Sequence, residues 1–297
     1  MTPSPAVGIP HDLEPDLRLI IAPNPGPLTF WGTNTYILGQ GPFVVIDPGP
    51  MSESHLGAIL DATRGDISHI LVSHTHADHS PLARPLAERT KAKTYAFGAS
   101  RDGMSAVMRA LEASGHGQSS EGLDHDFRPD IRLGDGEALE TPAGRITALH
   151  TPGHLGNHLC FAWRDVIFSA DHVMGWATSL VSPPFGDLTD FMASCEKLLD
   201  HPARRYFAGH GAPIDQPLDR VRALIDHRRL RESQILAALE SGPTTIEALT
   251  PRLYADVPSD LHPAAARNIF AHLIDLTQRN MCKASNPLNF KSVFEGL

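Results

Sequence analysis

His74-Thr75-His76-Ala77-Asp78-His79 places four side chains of metal-ligating type within six residues, directly after the apolar run Ile70-Leu71-Val72. Imidazole and carboxylate groups hold zinc-like ions while leaving a coordination position open for water, and a pair of such ions turns water into a nucleophile near neutral pH. The spacing sends His74 and His76 one way, with Asp78 and His79 following in the turn. In a chain of 297 residues with 17 histidines, two of them close together would carry little information. Four ligand-type residues in six positions read as a metal site rather than a histidine-rich surface loop.

Further candidate ligands stand at the ends of strand-like apolar segments, where loops converge on one edge of a sheet. Thr151-Pro152-Gly153-His154 follows Arg145 to His150, and its Pro-Gly pair forces the turn that presents His154. Asp171 ends the run Val166-Ile167-Phe168-Ser169-Ala170, and His210 sits between Gly209 and Gly211 after Tyr206-Phe207-Ala208. Those glycines let the backbone approach closely or adopt unusual dihedrals. An earlier acid, Asp47, ends Val44-Val45-Ile46 before Pro48-Gly49, where a simple turn aspartate is its alternative reading.

Taken in order, Asp47, the HxHxDH run, His154, Asp171 and His210 resemble the five motifs of the metallo-β-lactamase superfamily, over residues 28 to 215. The resemblance implies that His74, His76 and His154 ligate one metal, that Asp78, His79 and His210 ligate a second, and that Asp171 bridges the two. Asp47 would then accept a hydrogen bond from a liganding imidazole and fix its tautomer. It also implies a mixed α+β fold, a four-layer αββα sandwich, and a binuclear site rather than the one-iron centre of some relatives. Zinc is the first expectation for the two divalent ions, with iron or manganese also compatible with histidine and aspartate ligands.

The flanking sequence fits that architecture. Leu28 to Leu38 and Pro42 to Ile46 read as paired strands joined across Gly39-Gln40-Gly41. Leu56, Ile59 and Leu60 mark one face of a short helix, as do Leu82 and Leu86 after the metal motif. Leu188, Phe191, Met192, Cys195, Leu198 and Leu199 recur at helical spacing behind Asp187 as N-cap. Between Phe97 and Phe127 the apolar rhythm fades into Gly, Ser, Asp and His, which reads as a flap beside the site or as a solvated insertion, with His116 and His125 exposed.

Beyond Pro217 the pattern becomes helical, dividing the chain into a hydrolase part over 1–216 and a small part over 217–297. Leu218, Val221, Leu224 and Ile225 open a long helix that Ile235, Leu236 and Leu239 continue or restart. Thr244 with Glu247 forms a capping-box signature, and Ala266, Ile269, Phe270, Leu273 and Leu276 mark another helix before a terminal hairpin within Cys282 to Phe294. Three helices and a hairpin resemble a winged helix. Its position after the last metal motif, together with Gly32-Thr33-Asn34-Thr35-Tyr36 and Gly153-His154-Leu155-Gly156-Asn157-His158, resembles the branch typed by β-lactamase-like protein 2. His158 either touches the site or is a strand-edge histidine.

A ligand set of this kind implies hydrolysis by a hydroxide shared between the two ions, with Asp78 both holding the second ion and orienting the hydroxide proton. It does not choose the electrophile. The winged-helix branch implies an endoribonuclease on single-stranded RNA; a small-molecule ester, thioester or lactone hydrolase is the alternative, and a non-catalytic nucleic-acid-binding regulator a third. Residues 1–203 hold 13 Lys and Arg against 24 Asp and Glu, while 204–297 hold 12 against 10, consistent with a net charge of −9. Such a balance argues against an extended duplex DNA surface, because phosphate neutralisation dominates that affinity. Arg204, Arg205, Arg228, Arg229 and Arg231 form either a local basic patch or a solvated helix face. Trp176, Ser182, Pro183, Pro184 and Phe185 would shape an apolar pocket mouth or stack bases.

Apolar residues make up 41% of the chain, and no run approaches the length of a membrane span or a signal-peptide core. Cys160, Cys195 and Cys282 lie in apolar segments without metal-type spacing and read as buried free thiols in a reducing compartment. These features lead to the expectation of a cytoplasmic enzyme, with a homodimer compatible with the sequence.

Overall fold

The computed structural model describes residues 5–115, 122–285 and 287–297; His116 lies outside them. Alternating and continuous apolar runs form two sheets. The first runs in the order β1 (His11–Glu14), β2 (Leu17–Ile21), β3 (Asn34–Leu38), β4 (Phe43–Ile46), β5 (Ile67–Leu71), β6 (Lys93–Ala96) and β7 (Ile131–Arg132). It is antiparallel from β1 to β4 and parallel from β4 to β7. The second contains β8 (Ala138–Thr141), β9 (Gly144–His150), β10 (Leu159–Trp163), β11 (Val166–Ala170) and β12 (Arg205–Ala208), with only the β11–β12 pair parallel.

The period-2 alternation sends one face of each sheet into a shared interior: Leu19, Tyr36, Val44, Ile46 and Leu71 meet Ile146, Leu159, Phe161, Phe168 and Phe207. Helices α1 (Glu53–Thr63) and α2 (Ala83–Thr90) cover the outer face of the first sheet through Leu56, Ile59, Leu82 and Leu86, against Ile20, Ile37, Val45 and Ile70. On the other side, α4 (Leu188–Leu199) and the first half of α5 (Pro217–Leu239) cover the second sheet through Phe191, Cys195, Leu198, Val221 and Leu224. The result is the expected four-layer αββα sandwich. Asp187 caps α4, accepting from Thr189 N at 2.9 Å.

A separate apolar cluster joins α3 (Ala106–Ala113) to the second half of α5, α6 (Ile246–Leu253), α7 (His262–Gln278) and the hairpin of β13 (Cys282–Ala284) with β14 (Phe294–Gly296). Helix α5 is a single element about 35 Å long, so its two ends belong to two different cores. All three cysteines are buried and free. No helix among the described residues is long and apolar enough to cross a membrane.

Several local expectations are corrected. The strand expected from Leu28 begins only at Asn34, because Gly26 to Gly32 curl into a turn in which Phe30 has φ +53°. The described part of the segment after Phe97 is no solvated insertion: Ser105 caps α3, Met104, Met108, Leu111 and Leu123 are buried in the C-terminal cluster, and Asp124 N donates to Thr75 O at 2.8 Å beside the histidine-rich turn; the Gly- and Ser-rich stretch 116–121 lies outside the described residues. The N-cap of α6 is Thr245, which accepts from Ala248 N at 3.3 Å. Thr244 is not free to cap because its backbone pairs with Phe294 in both directions at 2.8 Å.

Candidate metal centre

Every candidate site residue leaves the C-terminal end of a strand: Asp47 follows β4, His74 to His79 follow β5, His154 follows β9, Asp171 follows β11 and His210 follows β12. The two sheets therefore deliver all of them to one edge. Two of these strand ends are strained, with positive φ at Asp47 (+49°) and Ala170 (+42°), as is common where backbone is bent to present a functional side chain. Gly209 is required where it stands. A Cβ there would overlap Asp171 Oδ1 and lie 2.8 Å from His79 Cε1.

The side chains converge in two groups, His74, His76, His154 and Asp171 in one, and Asp78, His79 and His210 in the other. In the first, His74 Nε2 and His154 Nε2 each lie 3.0 Å from His76 Nδ1, and Asp171 Oδ2 is 3.7 Å from His154 Nε2. In the second, Asp78 Oδ2 is 3.4 Å from His79 Nε2 and 3.2 Å from His210 Nε2. Asp171 faces both groups, with Oδ2 3.4 Å from His210 Nε2 and Oδ1 3.5 Å from His79 Nε2. His76 and Asp78 are half-buried and the other five are buried, so the site opens beside those two.

The outward ring nitrogens are held by acceptors. His79 Nδ1 donates to Asp47 Oδ2 at 3.0 Å, His154 Nδ1 to Leu180 O at 2.7 Å and His210 Nδ1 to Gly32 O at 3.2 Å. A carbonyl or carboxylate there requires the proton on Nδ1, which leaves the Nε2 lone pair pointing inward. His74 Nδ1 meets Ser73 Oγ at 2.9 Å.

Electrostatics divides the groups. Burial, reinforced by neighbouring imidazoles, holds His74 well below its ordinary pKa, and His76 is pushed down to about 3 by burial and by His154, so both are neutral. Burial likewise lowers His154. Burial also opposes charge on His79 and His210, but the carboxylates of Asp78 and Asp171 outweigh it, holding His79 well above the usual range and raising His210 to about 9. Asp78 and Asp171 are themselves held below the usual carboxylate range: burial works against this, and His79 and His210 overcome it. The two acids thus draw positive charge into the cluster, as protons on imidazoles or as divalent cations that replace those protons. Asp171 Oδ1 and His79 Nε2 are buried without a hydrogen-bond partner among the described residues, an arrangement that a metal ion satisfies. The donor set fits two ions.

Other singled-out residues fall elsewhere. His158 is buried beneath the site rather than at a strand edge, stacked on His74 with ring centroids 5.1 Å apart and bonded to Thr151 Oγ1. His125 is half-buried against Ser100 and belongs to neither group, so its expected exposure is corrected. Ser182 to Phe185 are buried, and Phe185 packs into the C-terminal cluster, so they line no mouth. Trp176 does stand near the site: it stacks on Phe30 at 4.8 Å, Phe30 stacks on Trp31 at 5.0 Å, and both Phe30 and Trp176 lie against Gly211, next to His210.

The five arginines form no patch. Arg204 pairs with Glu14 and Asp165, Arg205 with Glu14 and Asp215, and Arg229 with Glu196. Arg231 bonds Leu253 O and covers the Tyr254 ring, while Arg228 is buried.

Sequence reasoning missed a supporting layer. Thr33 Oγ1 donates to Asp78 Oδ2 at 3.1 Å, and Asn24 clamps Thr33. Asn34 Nδ2 reaches Ala208 O and Gly211 O, fixing the loop that carries His210. Ser73 ties Asp47 to His74. Thr33 and Asn34 had a signal, since they lie in the Gly32 to Tyr36 stretch; the carbonyls of Leu180 and Gly32 had none, because any residue type supplies a carbonyl.

Comparison with known proteins places these features together. Residues 28–210 match the family model of the metallo-beta-lactamase superfamily, and residues 245–284 match that of the beta-lactamase associated winged helix domain. A beta-lactamase-like protein 2 homolog from Drosophila melanogaster is 31% identical over 283 residues, covering 90% of this chain and 89% of that protein. An atrochrysone carboxyl ACP thioesterase from Claviceps purpurea (strain 20.1) is 28% identical over 258 residues, 83% of this chain and 74% of its own. Among solved structures, a metallo-beta-lactamase family protein from Thermus thermophilus superposes with TM-score 0.77 at 25% identity, over 96% of this chain and 100% of its own.

Proposed function

The chain belongs to the metallo-beta-lactamase superfamily, and from that premise we propose that it is a binuclear metal-dependent hydrolase of small acyl substrates, thioesters and esters foremost. The observation that carries the reading is the convergence of His74, His76, His154 and Asp171 beside Asp78, His79 and His210. In this proposal the first three histidines hold one ion, Asp78, His79 and His210 hold the other, and Asp171 faces both. Two divalent ions bound there, zinc foremost with iron and manganese as alternatives, would supply an acidified water and an electrophile for the carbonyl oxygen.

The chain's own residues then set the geometry. Thr33 fixes the Asp78 carboxylate through Oδ2, so Asp78 serves both as ligand and as acceptor for a proton of the attacking water. Asp47, Leu180 O and Gly32 O keep protons on the outer ring nitrogens and away from the ligating ones. The stacked rings of Phe30, Trp31 and Trp176 offer an apolar shelf beside His210 for an acyl group. The relative from Claviceps purpurea named as a thioesterase supports the same choice.

Single-stranded RNA is less well served. The arginines that would meet its phosphates are engaged elsewhere. Helix α7, the second of the α6–α7 pair and the one a DNA-binding helix-turn-helix lays in a groove, is buried on every side from Ile269 to Leu276, which leaves its first turns, 262–268, partly exposed. The division into a hydrolase part over 1–216 and a winged-helix part over 217–297, and a reducing cytoplasmic location suited to three buried thiols, belong to the same proposal.

The test is a panel: metal-quantified protein assayed against an acyl thioester, a lactone, a β-lactam and single-stranded RNA, beside Asp78→Ala. Thioester or lactone turnover lost in Asp78→Ala supports the proposal. RNA cleavage lost in the same variant, without acyl turnover, overturns the substrate class, and fewer than about one bound ion per chain overturns the chemistry.

A further inference from the structure

We propose that the C-terminal helices position the His154 ring through a strap of three consecutive residues, Ser179-Leu180-Val181, with Arg228 and Asn268 as the positioning residues. This rests on the reading of His154 as a metal ligand.

The strap is tied on both sides. Toward the centre, Leu180 O accepts from His154 Nδ1 at 2.7 Å, and Ser179 Oγ donates to Asp171 O at 2.5 Å and His172 O at 2.9 Å. Toward the C-terminal helices, Arg228 Nη2 from α5 donates to Ser179 O, and Asn268 Oδ1 from α7 accepts from Val181 N at 3.2 Å. Arg228 Nη1 donates to the same Asn268 oxygen at 2.9 Å, which locks the two holders together. Residues 171 and 154, one from each of two strand ends, are thereby referred to a single frame that lies outside both sheets.

The character of Arg228 supports a positional role. It is only 2% exposed, and among the described residues its guanidinium meets carbonyl oxygens and the Phe191 ring, 5.2 Å away, rather than a carboxylate. Its Nε has no partner there at all. A buried charge without a counter-ion is unfavourable for stability, and an apolar residue of similar volume commonly serves a core better. What the guanidinium gives in return is a fork of donors in fixed geometry, suited to holding the Ser179 carbonyl and the Asn268 side-chain oxygen at once. Phe191 also packs its backbone against Gly153, the residue before His154, so the same contact region bears on the ligand from the other side.

The experiment compares wild type with Asn268→Ala, Arg228→Lys and, as a control on the same helix, Arg229→Ala. Two readouts are taken: competition of each bound zinc ion against a chromogenic chelator, and the His154 Nδ1 proton in histidine-labelled protein by NMR, with and without metal. The expected result is that Asn268→Ala and Arg228→Lys weaken one of the two ions by about tenfold and speed exchange of the His154 Nδ1 proton even without metal. Arg229→Ala should change neither. If Asn268→Ala does not fold, Arg228→Lys, which keeps charge and most of the volume, carries the test. Unchanged ion affinities and an unchanged ring proton in the folded variants overturn the strap. His154→Ala checks the premise separately: if it retains both ions at wild-type affinity, His154 is no ligand and the proposal falls with that reading.

Discussion

Asp47 Oδ2 and His79 Nδ1 lie 3.0 Å apart in the buried floor of the candidate metal centre, and the same carboxylate accepts from Ser73 N at 2.7 Å and Ser73 Oγ at 2.6 Å. All its close partners are donors, so the group must act as an acceptor at every contact. Asp47→Asn would place an amide nitrogen where an acceptor is needed, and His79 would answer by moving its proton to Nε2, the atom facing Asp78. The expected outcome is that one ion binds about 10- to 100-fold more weakly while the fold persists, measured by chelator competition and circular dichroism.

Gly209 gives a steric counterpart. An added methyl group would overlap Asp171 Oδ1 and crowd His79 Cε1 at 2.8 Å, so Gly209→Ala must displace one carboxylate from between the two groups. Reduced metal stoichiometry in Gly209→Ala, restored only at elevated zinc, is the expected result. A variant that holds two ions at wild-type affinity would show that Asp171 can retreat without loss.

The aromatic shelf predicts a split between binding and turnover. Trp176→Ala removes the ring that stacks on Phe30 beside His210 without touching a candidate ligand. KM for a thioester with a bulky acyl group should rise about tenfold, in line with the loss of roughly 1.5 kcal/mol of apolar contact, while kcat for an acetyl thioester stays near wild type. Equal effects on both substrates would place the shelf outside the acyl site.

A pH prediction follows from His55. Burial pushes its imidazole down to about 4 from an ordinary 6.5. Thr35 Oγ1 donates to Asp47 O, so its contact with His55 Nε2 makes the ring nitrogen the donor and leaves Nδ1 buried without a partner. A depressed folded-state pKa means that the neutral ring's contribution is fully present above pH 6.5 and is lost as the pH falls through 4. Its size is about 3 kcal/mol if the shift is fully expressed. Urea unfolding of metal-free protein from pH 7 down to pH 4 should show this loss, and His55→Gln should flatten it.

The sequence carried the candidate ligands and their strand-end positions, and through the resemblance those motifs bear, the αββα fold and the expected grouping of the ligands. That information is local: each candidate ligand is a residue of restricted chemistry at the end of an apolar strand, and six of the seven stand within short signatures. Element boundaries were less legible where a neighbouring strand claimed the backbone, as Phe294 does with Thr244.

Tertiary structure alone decided the rest. A polar, glycine-rich composition concealed α3, because the cluster that buries Met104, Met108 and Leu111 draws most of its residues from Ile235 onward, more than 100 positions away. The five arginines read as a patch or a solvated face because most of their partners, from Glu14 to Leu253, are distant in sequence. Leu180 acts through its carbonyl, which carries no residue-type signal, and Arg228 and Asn268 reach it from helices that local pattern assigns to a separate part. Ligand chemistry is written in side-chain type; burial, pairing and backbone support depend on which distant segments the fold brings together.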